Sequence, residues 1–122
     1  MAGMTQTEAQ ATLDQRFPTS GGTDYIAYSV NGTSEFAGLA RTAIGATGWA
    51  AATAAQPSIK ANASALTSAA ASSGGTVSHY AIYSAVTAGT QRIDWTAFTT
   101  ARAILTGDQL THAIGSIQVT LD

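Results

Sequence analysis

The residues able to do acid–base, nucleophilic or metal chemistry are few and far apart in this 122-residue chain. Its two histidines, His79 and His112, have Asp94 and Asp108 as their nearest acidic neighbours in sequence. A hydrolytic triad also needs a positioned nucleophile, and the Gly-x-Ser-x-Gly elbow that would present one does not occur. The abundant serines read as turn and surface residues. His79 alternates with apolar neighbours as a strand residue does, and the two histidines lack the close spacing of a metal motif, so both are expected to be hydrogen-bonded structural groups. Cysteine is absent, which removes disulfides, thiolate catalysis and the common structural zinc sites. Gly21-Gly22-Thr23 and Gly74-Gly75-Thr76 are not followed by the lysine and helix of a phosphate loop and read as turns. The expectation is a protein that is not an enzyme and uses no cofactor and no metal.

Contact chemistry is better represented. Tyr25, Tyr28, Tyr80 and Tyr83 offer apolar area with a polar tip and could form a carbohydrate or protein contact surface; the competing reading makes them strand residues that fill a small core. Leu13 and Phe17 join them as candidate assembly or contact residues. Asn31-Gly32-Thr33 and Asn62-Ala63-Ser64 match the glycosylation sequon, but with no secretory signal in view both read as chance matches.

The elements that would carry these residues can be traced along the chain. Thr5-Gln6-Thr7-Glu8 has capping-box spacing, Met4 is placed to staple against Ala9, and Ala9, Leu13 and Phe17 recur on one face up to Pro18. This predicts an N-terminal helix, and Leu13→Ala should cost about 2 to 4 kcal/mol if that site is buried. After the Ser20-Gly21-Gly22 turn, Tyr25 to Val30 reads as a strand ending in the hairpin dipeptide Asn31-Gly32. Phe36 to Ile44 is a second strand candidate, weakened at Gly38, and Ala50 to Ala55 is a loop or short strand. From Ile59, alternation puts Ala61, Ala63 and Ala65 on an apolar face and Lys60, Asn62 and Ser64 on a polar one. Thr76 to Tyr83 and Gln91 to Thr99 are further strands, separated by an Ala88-Gly89 turn, and Thr106-Gly107-Asp108 is another turn. Ile117, Val119 and Leu121 alternate with polar residues in the cleanest half-buried strand. The predicted fold class is mainly β: an N-terminal arm and helix over 1–19, then an antiparallel β-sandwich of about seven short strands over 20–122, forming one structural unit.

Composition narrows the partners. Apolar residues are 45% of the chain but largely alanine, and aromatic residues only 7%, so the core is thin and a monomer would be marginal. Charged residues are 10% against a usual value of about 25%. Arg16, Arg41, Lys60, Arg92 and Arg102 stand singly, with no basic stripe for nucleic acid. No apolar run is long enough for membrane insertion and no export signal is seen, so a soluble protein is expected. Low charge and a Ser, Thr, Ala and Gly surface suit a chain packed in an assembly, for which a homo-oligomer, a trimer, is expected. Such an assembly would rest on apolar burial and hydrogen bonds.

The order of these segments resembles the small tailed-bacteriophage virion proteins usually labelled phage tail fibre protein. Phe36 to Ile44 is similar to the family's Gly-rich segment with a Tyr-Ala-Arg core, and Ile59 to Leu66 to its Ile-Ser-Asn-x-Ala segment. Thr76 to Tyr83 resembles its Val-Thr-His-x-Gly-Ile-x-Asp strand. Leu105 to Leu110 resembles its Ala-Gly-Asp turn, and Ile117 to Asp122 its closing Leu-Asp pair. Leu39 stands in the aromatic place, Ala81 where glycine is common and Ser84 where the family has an acid. The resemblance implies a non-enzymatic structural protein on the virion surface, synthesised in the host cytoplasm, with no catalytic residue. With no shaft or receptor-binding head in view, a compact accessory subunit is expected. Capsid decoration, as a minor capsid protein bound to the major capsid protein, is the first reading; a tail-fibre or baseplate-associated role among tail proteins, or a module binding host surface glycan, is the alternative.

Overall fold

The structure, a computed structural model, describes residues 5–19, 24–45, 48–55 and 57–121. The Met4 staple, the Ser20-Gly21-Gly22 turn and the terminal Asp122 lie outside them. The fold is mainly β, with one short N-terminal helix and antiparallel sheets. Among the described residues the elements run α1 (Gln6–Arg16), β1 (Tyr25–Ser29), β2 (Thr42–Ala43), β3 (Ser58–Ala61), β4 (Leu66–Thr67), β5 (Gly75–Tyr83), β6 (Gln91–Ile104), β7 (Thr111–His112) and β8 (Gln118–Leu121). One sheet has the order β2-β1-β5-β6, while β3 with β8 and β4 with β7 form two-stranded ladders. The chain forms two compact units, Met1–Gly22 with Ile44–Leu66 and His112–Asp122, and Thr23–Ala43 with Thr67–Thr111. No helix among the described residues is long and apolar enough to cross a membrane.

In the first unit α1 starts where its capping residue puts it. Thr5 is extended and its Oγ1 accepts from the Glu8 N–H at 3.3 Å, while Glu8 in the first turn and Arg16 in the last suit the helix dipole. The helix closes at Phe17, whose N–H donates to the Leu13 carbonyl just ahead of Pro18. Ala9, Leu13 and Phe17 are all buried, and the Phe17 ring meets Trp49 edge-on with centroids 5.4 Å apart. The predicted apolar face thus packs on the helix's own unit, against β3 and β8. Leu13→Ala should cost about 2 kcal/mol, the lower end for a buried leucine, because a lone helix lying on a two-stranded ladder can settle into the space left. A urea midpoint identical to that of the parent chain would contradict this packing.

The β3 segment folds with the opposite phase to the one its alternation predicts. Ser58, Lys60 and Asn62 are buried, Ile59 and Ala61 are half-buried, and Ala63 and Ala65 are exposed. Alanine methyls offer little transfer free energy, so the face that turns inward is the one whose polar groups find partners. The Lys60 ammonium donates to Asp14 of α1 at 2.6 Å. The Asn62 amide donates to the carbonyls of Ser64 and Ala113, at 2.8 and 3.0 Å, and its Oδ1 accepts from the Ile117 N–H at 2.9 Å. On and just before β8, Val119 and Ile117 keep the predicted inward phase.

In the second unit β1 and β5 pair antiparallel with Tyr25 opposite Tyr83 and Tyr28 opposite Tyr80. Residues three apart on a strand face opposite ways, so the four tyrosines split into two cross-strand pairs on the two faces. Phe36 to Ile44 is not a strand beyond Thr42–Ala43. A side chain at Gly38 would collide with the Phe36 ring and Ser73 Oγ, so the chain bends there and Phe36 folds back, its N–H donating to the Tyr28 carbonyl at 2.7 Å. Asn31 and Gly32 do turn, with Gly32 at φ 75°, but they lead into this loop rather than into a hairpin strand. The edge strand β6, at 14 residues, is longer than the predicted Gln91 to Thr99 and outruns the 9 residues of β5. Bulges absorb the excess. Val77 pairs with Arg102 and His79 with Ala97, so Ser78 alone faces Phe98 to Ala101.

Candidate functional site

In the second unit a network of polar contacts surrounds Arg41, whose side chain is only 6% exposed. Nε and one terminal nitrogen donate to the two carboxylate oxygens of Glu35, both at 2.8 Å. The other terminal nitrogen donates to the carbonyls of Ala85 and Ala88, at 2.8 and 2.7 Å, and the guanidinium lies 3.9 Å from the centroid of the Tyr83 ring. The planar fork of arginine is what allows one side chain to do all of this. Hydrogen bonding to Glu35 raises the Arg41 pKa further. The turn it holds is unusual, since Ala88 at φ 52° and Gly89 at φ 73° are both left-handed. Between the Glu35–Arg41 segment and Val86–Ala88 lies a cavity of about 310 Å³, with Phe36, Leu39 and Val86 among its walls. Arg41→Lys keeps the charge but loses the paired bonds to Glu35 and the stacking on Tyr83. It should cost about 1 to 2 kcal/mol and release the amides of residues 84–90 to faster hydrogen exchange.

The residues singled out from sequence are dispersed. Leu13 and Phe17 are interior to the first unit. In the second, Tyr28 is fully buried, its hydroxyl 2.6 Å from Thr42 Oγ1, and burial pushes its pKa up to about 12. Tyr80 is buried against Phe98, with centroids 5.0 Å apart. Tyr25 and Tyr83 are half-buried on the other face, Tyr83 between Arg41 and Trp95. The structure therefore does not bring the four tyrosines into one exposed patch.

The groups considered for catalysis are occupied locally. Asp94 accepts from the Trp95 N–H at 2.8 Å, and Asp108 from the Leu105 N–H at 2.8 Å in a turn closed by Gly107 at φ 92°. His79 Nδ1 sits 2.7 Å from Ser78 Oγ, and its ring covers Gly32. His112 is buried. Among the described residues no three His, Asp or Glu side chains cluster in a way that could hold a metal ion. The cations are committed as well. Lys60 pairs with Asp14, Arg92 with the buried Asp24 at 2.5 Å and Arg41 with Glu35, while Arg102 donates to the Thr111 carbonyl.

The Arg41 clamp, which ties the Glu35–Arg41 segment to the Ala85–Ala88 turn, is a structural feature that sequence reasoning missed. Its available signal was Arg41 itself, within the segment similar to the family's Tyr-Ala-Arg core, together with a later left-handed turn whose carbonyls need a donor. No curated protein gives a significant match to the chain. A family model described as podophage GP4 fiber I protein gp80 matches residues 6–120, from the start of α1 into β8, and the chain therefore belongs to that phage fibre family.

Proposed function

We propose that the chain is a non-enzymatic structural subunit of a phage fibre, carried on the outside of the virion and attached at the tail. The observation that carries this reading is the family match over residues 6–120. It favours the fibre role over capsid decoration, the first reading from sequence. Asp94 and Asp108 accept from nearby backbone N–H groups and His79 bonds the hydroxyl of its chain neighbour Ser78, local uses that support a structural rather than a catalytic role.

The subunit works as a homo-oligomer, a trimer, held to tail proteins by apolar burial and hydrogen bonds. Low charge and a thin, alanine-rich core support this, since association supplies the burial that one copy lacks. Separating heads from tails on a density gradient and measuring the chain in each fraction by mass spectrometry tests the location. Recovery with tails is expected, and recovery with tail-free heads would return the reading to decoration. Sedimentation of the purified chain tests the assembly, for which a monomer at every accessible concentration is the contrary result.

A further inference from the structure

We infer that the outer edge of β6 is closed to strand addition, so that copies of this chain meet through side chains and not by continuing a sheet. β6 is the last strand of the β2-β1-β5-β6 sheet, it lies mostly exposed, and its 14 residues make it the longest strand described. A long exposed edge offers a row of backbone donors and acceptors on which another strand can template itself. In a chain with 10% charged residues, general repulsion between copies is too weak to keep such edges apart. The protection has to be built into the strand.

Three features build it. The ladder is broken on the β6 side in three places: Phe98 to Ala101 face Ser78 alone, Asp94 and Trp95 share the place opposite Ala81, and Arg92 is the extra residue between the Ile93–Ile82 and Gln91–Tyr83 pairs. Each bulge bends and twists the strand, so its outer groups do not line up with a straight incoming strand. At the middle bulge the backbone is satisfied from within. The Asp94 carboxylate accepts from the Trp95 N–H at 2.8 Å, and the Thr96 hydroxyl donates to the Asp94 carbonyl at 3.0 Å. Asp94 and Thr96 are both exposed, so these bonds occupy groups that an added strand would otherwise reach. An incoming strand has to break both before it gains any of its own. Finally, Arg92 is tied to the buried Asp24, and a slip of β6 to suit a partner would leave that carboxylate buried without its cation. The opposite edge of the sheet is closed more simply, since β2 is only 2 residues long.

Taking a second copy as the strand kept out rests on the homo-oligomer reading, which sedimentation of the parent chain tests; the state of the β6 edge is read separately, from variants and amide exchange. Asp94→Val with Thr96→Val removes both bonds and a charge and leaves two residues that favour strands. At equal concentration this variant should sediment as species larger than the parent, and within them amide exchange at residues 93–97 should slow roughly tenfold or more. Asp94→Asn with Thr96→Ser keeps an acceptor and a hydroxyl in place, while Thr99→Val with Thr100→Val adds apolar area at exposed positions of the same strand, and both should match the parent. Thr96→Val alone frees only the Asp94 carbonyl and should give the same growth at higher concentration, so the test stands even where the paired change unfolds the chain. An opened variant of the parent's size, control variants that grow as it does, growth that leaves the amides of residues 93–97 unchanged, or association of the parent that slows those amides would each overturn the inference.

Discussion

Asn62→Ala is expected to destabilise the chain by about 3 to 4 kcal/mol, a large part of the roughly 5 to 15 kcal/mol that holds a domain of this size folded. Asn62 is 1% exposed and bonds three backbone groups, one of which is the N–H of the fully buried Ile117. Ser64 and Ala113 are exposed, and their carbonyls can turn back to water. The Ile117 N–H cannot, and leaving it unsatisfied costs about 1 to 3 kcal/mol, to which the two lost donor bonds and the space left by the amide add. Asn62→Asp would keep the acceptor for Ile117 but bury a charge, so it should be no better tolerated. The check is the urea midpoint of each variant. A loss below 1 kcal/mol for Asn62→Ala would mean that water replaces the amide and that β3 is not specified from its inner face.

Asp14→Ala should cost about 3 kcal/mol at neutral pH, near the lower end for breaking a buried pair, since Asp14 is itself 40% exposed while Lys60 is wholly buried. Besides the Lys60 bond, the variant loses the bond from the Ala52 N–H to Asp14 at 2.9 Å. Asp14→Leu combined with Lys60→Met should recover most of the loss, because replacing both charges removes the unpaired one. The pair also sets a pH dependence. The hydrogen bond from Lys60 holds the Asp14 pKa below its ordinary value of 3.8. Because the folded-state pKa is the depressed one, the stabilisation is complete above about pH 4 and is lost as the pH falls through the folded value. Acid unfolding should therefore set in at higher pH in the parent than in the double variant. Coincident acid transitions would show that the pair adds nothing.

The features legible in the sequence are those set by local chemistry. The Thr5 cap, the Pro18 stop, the alternation of Ile117 and Val119, and the turns at Ala88-Gly89 and Thr106-Gly107-Asp108 depend on neighbours a few residues away, and all are present. What failed depends on partners distant in sequence. The inward phase of Lys60 and Asn62 follows from Asp14, Ala113 and Ile117, none of which the alternation of residues 59–65 can report. The Phe36 loop follows from the close approach of Ser73 to Gly38, and the length of β6 from bulges opposite β5. The site was the least legible part, because Arg41 reaches residues 44 and 47 positions further along the chain. The spacing of the tyrosines already favours the core-filling reading over a single contact surface. Tyr25 and Tyr28, like Tyr80 and Tyr83, are spaced by three, and a strand cannot present such a pair on one face.

The way the two units divide the chain has a consequence for biosynthesis. The second unit is complete once Thr111 has been made, whereas the first draws on three separate stretches and lacks β8, the partner of β3, until Leu121 emerges. A chain ended before Gln118 can form the β2-β1-β5-β6 sheet while α1 and β3, parts of the other unit, lack their closing strand. A ribosome stalled before Gln118 would release a product with one finished half and an open ladder edge on β3, the kind of species that quality control removes or that aggregates.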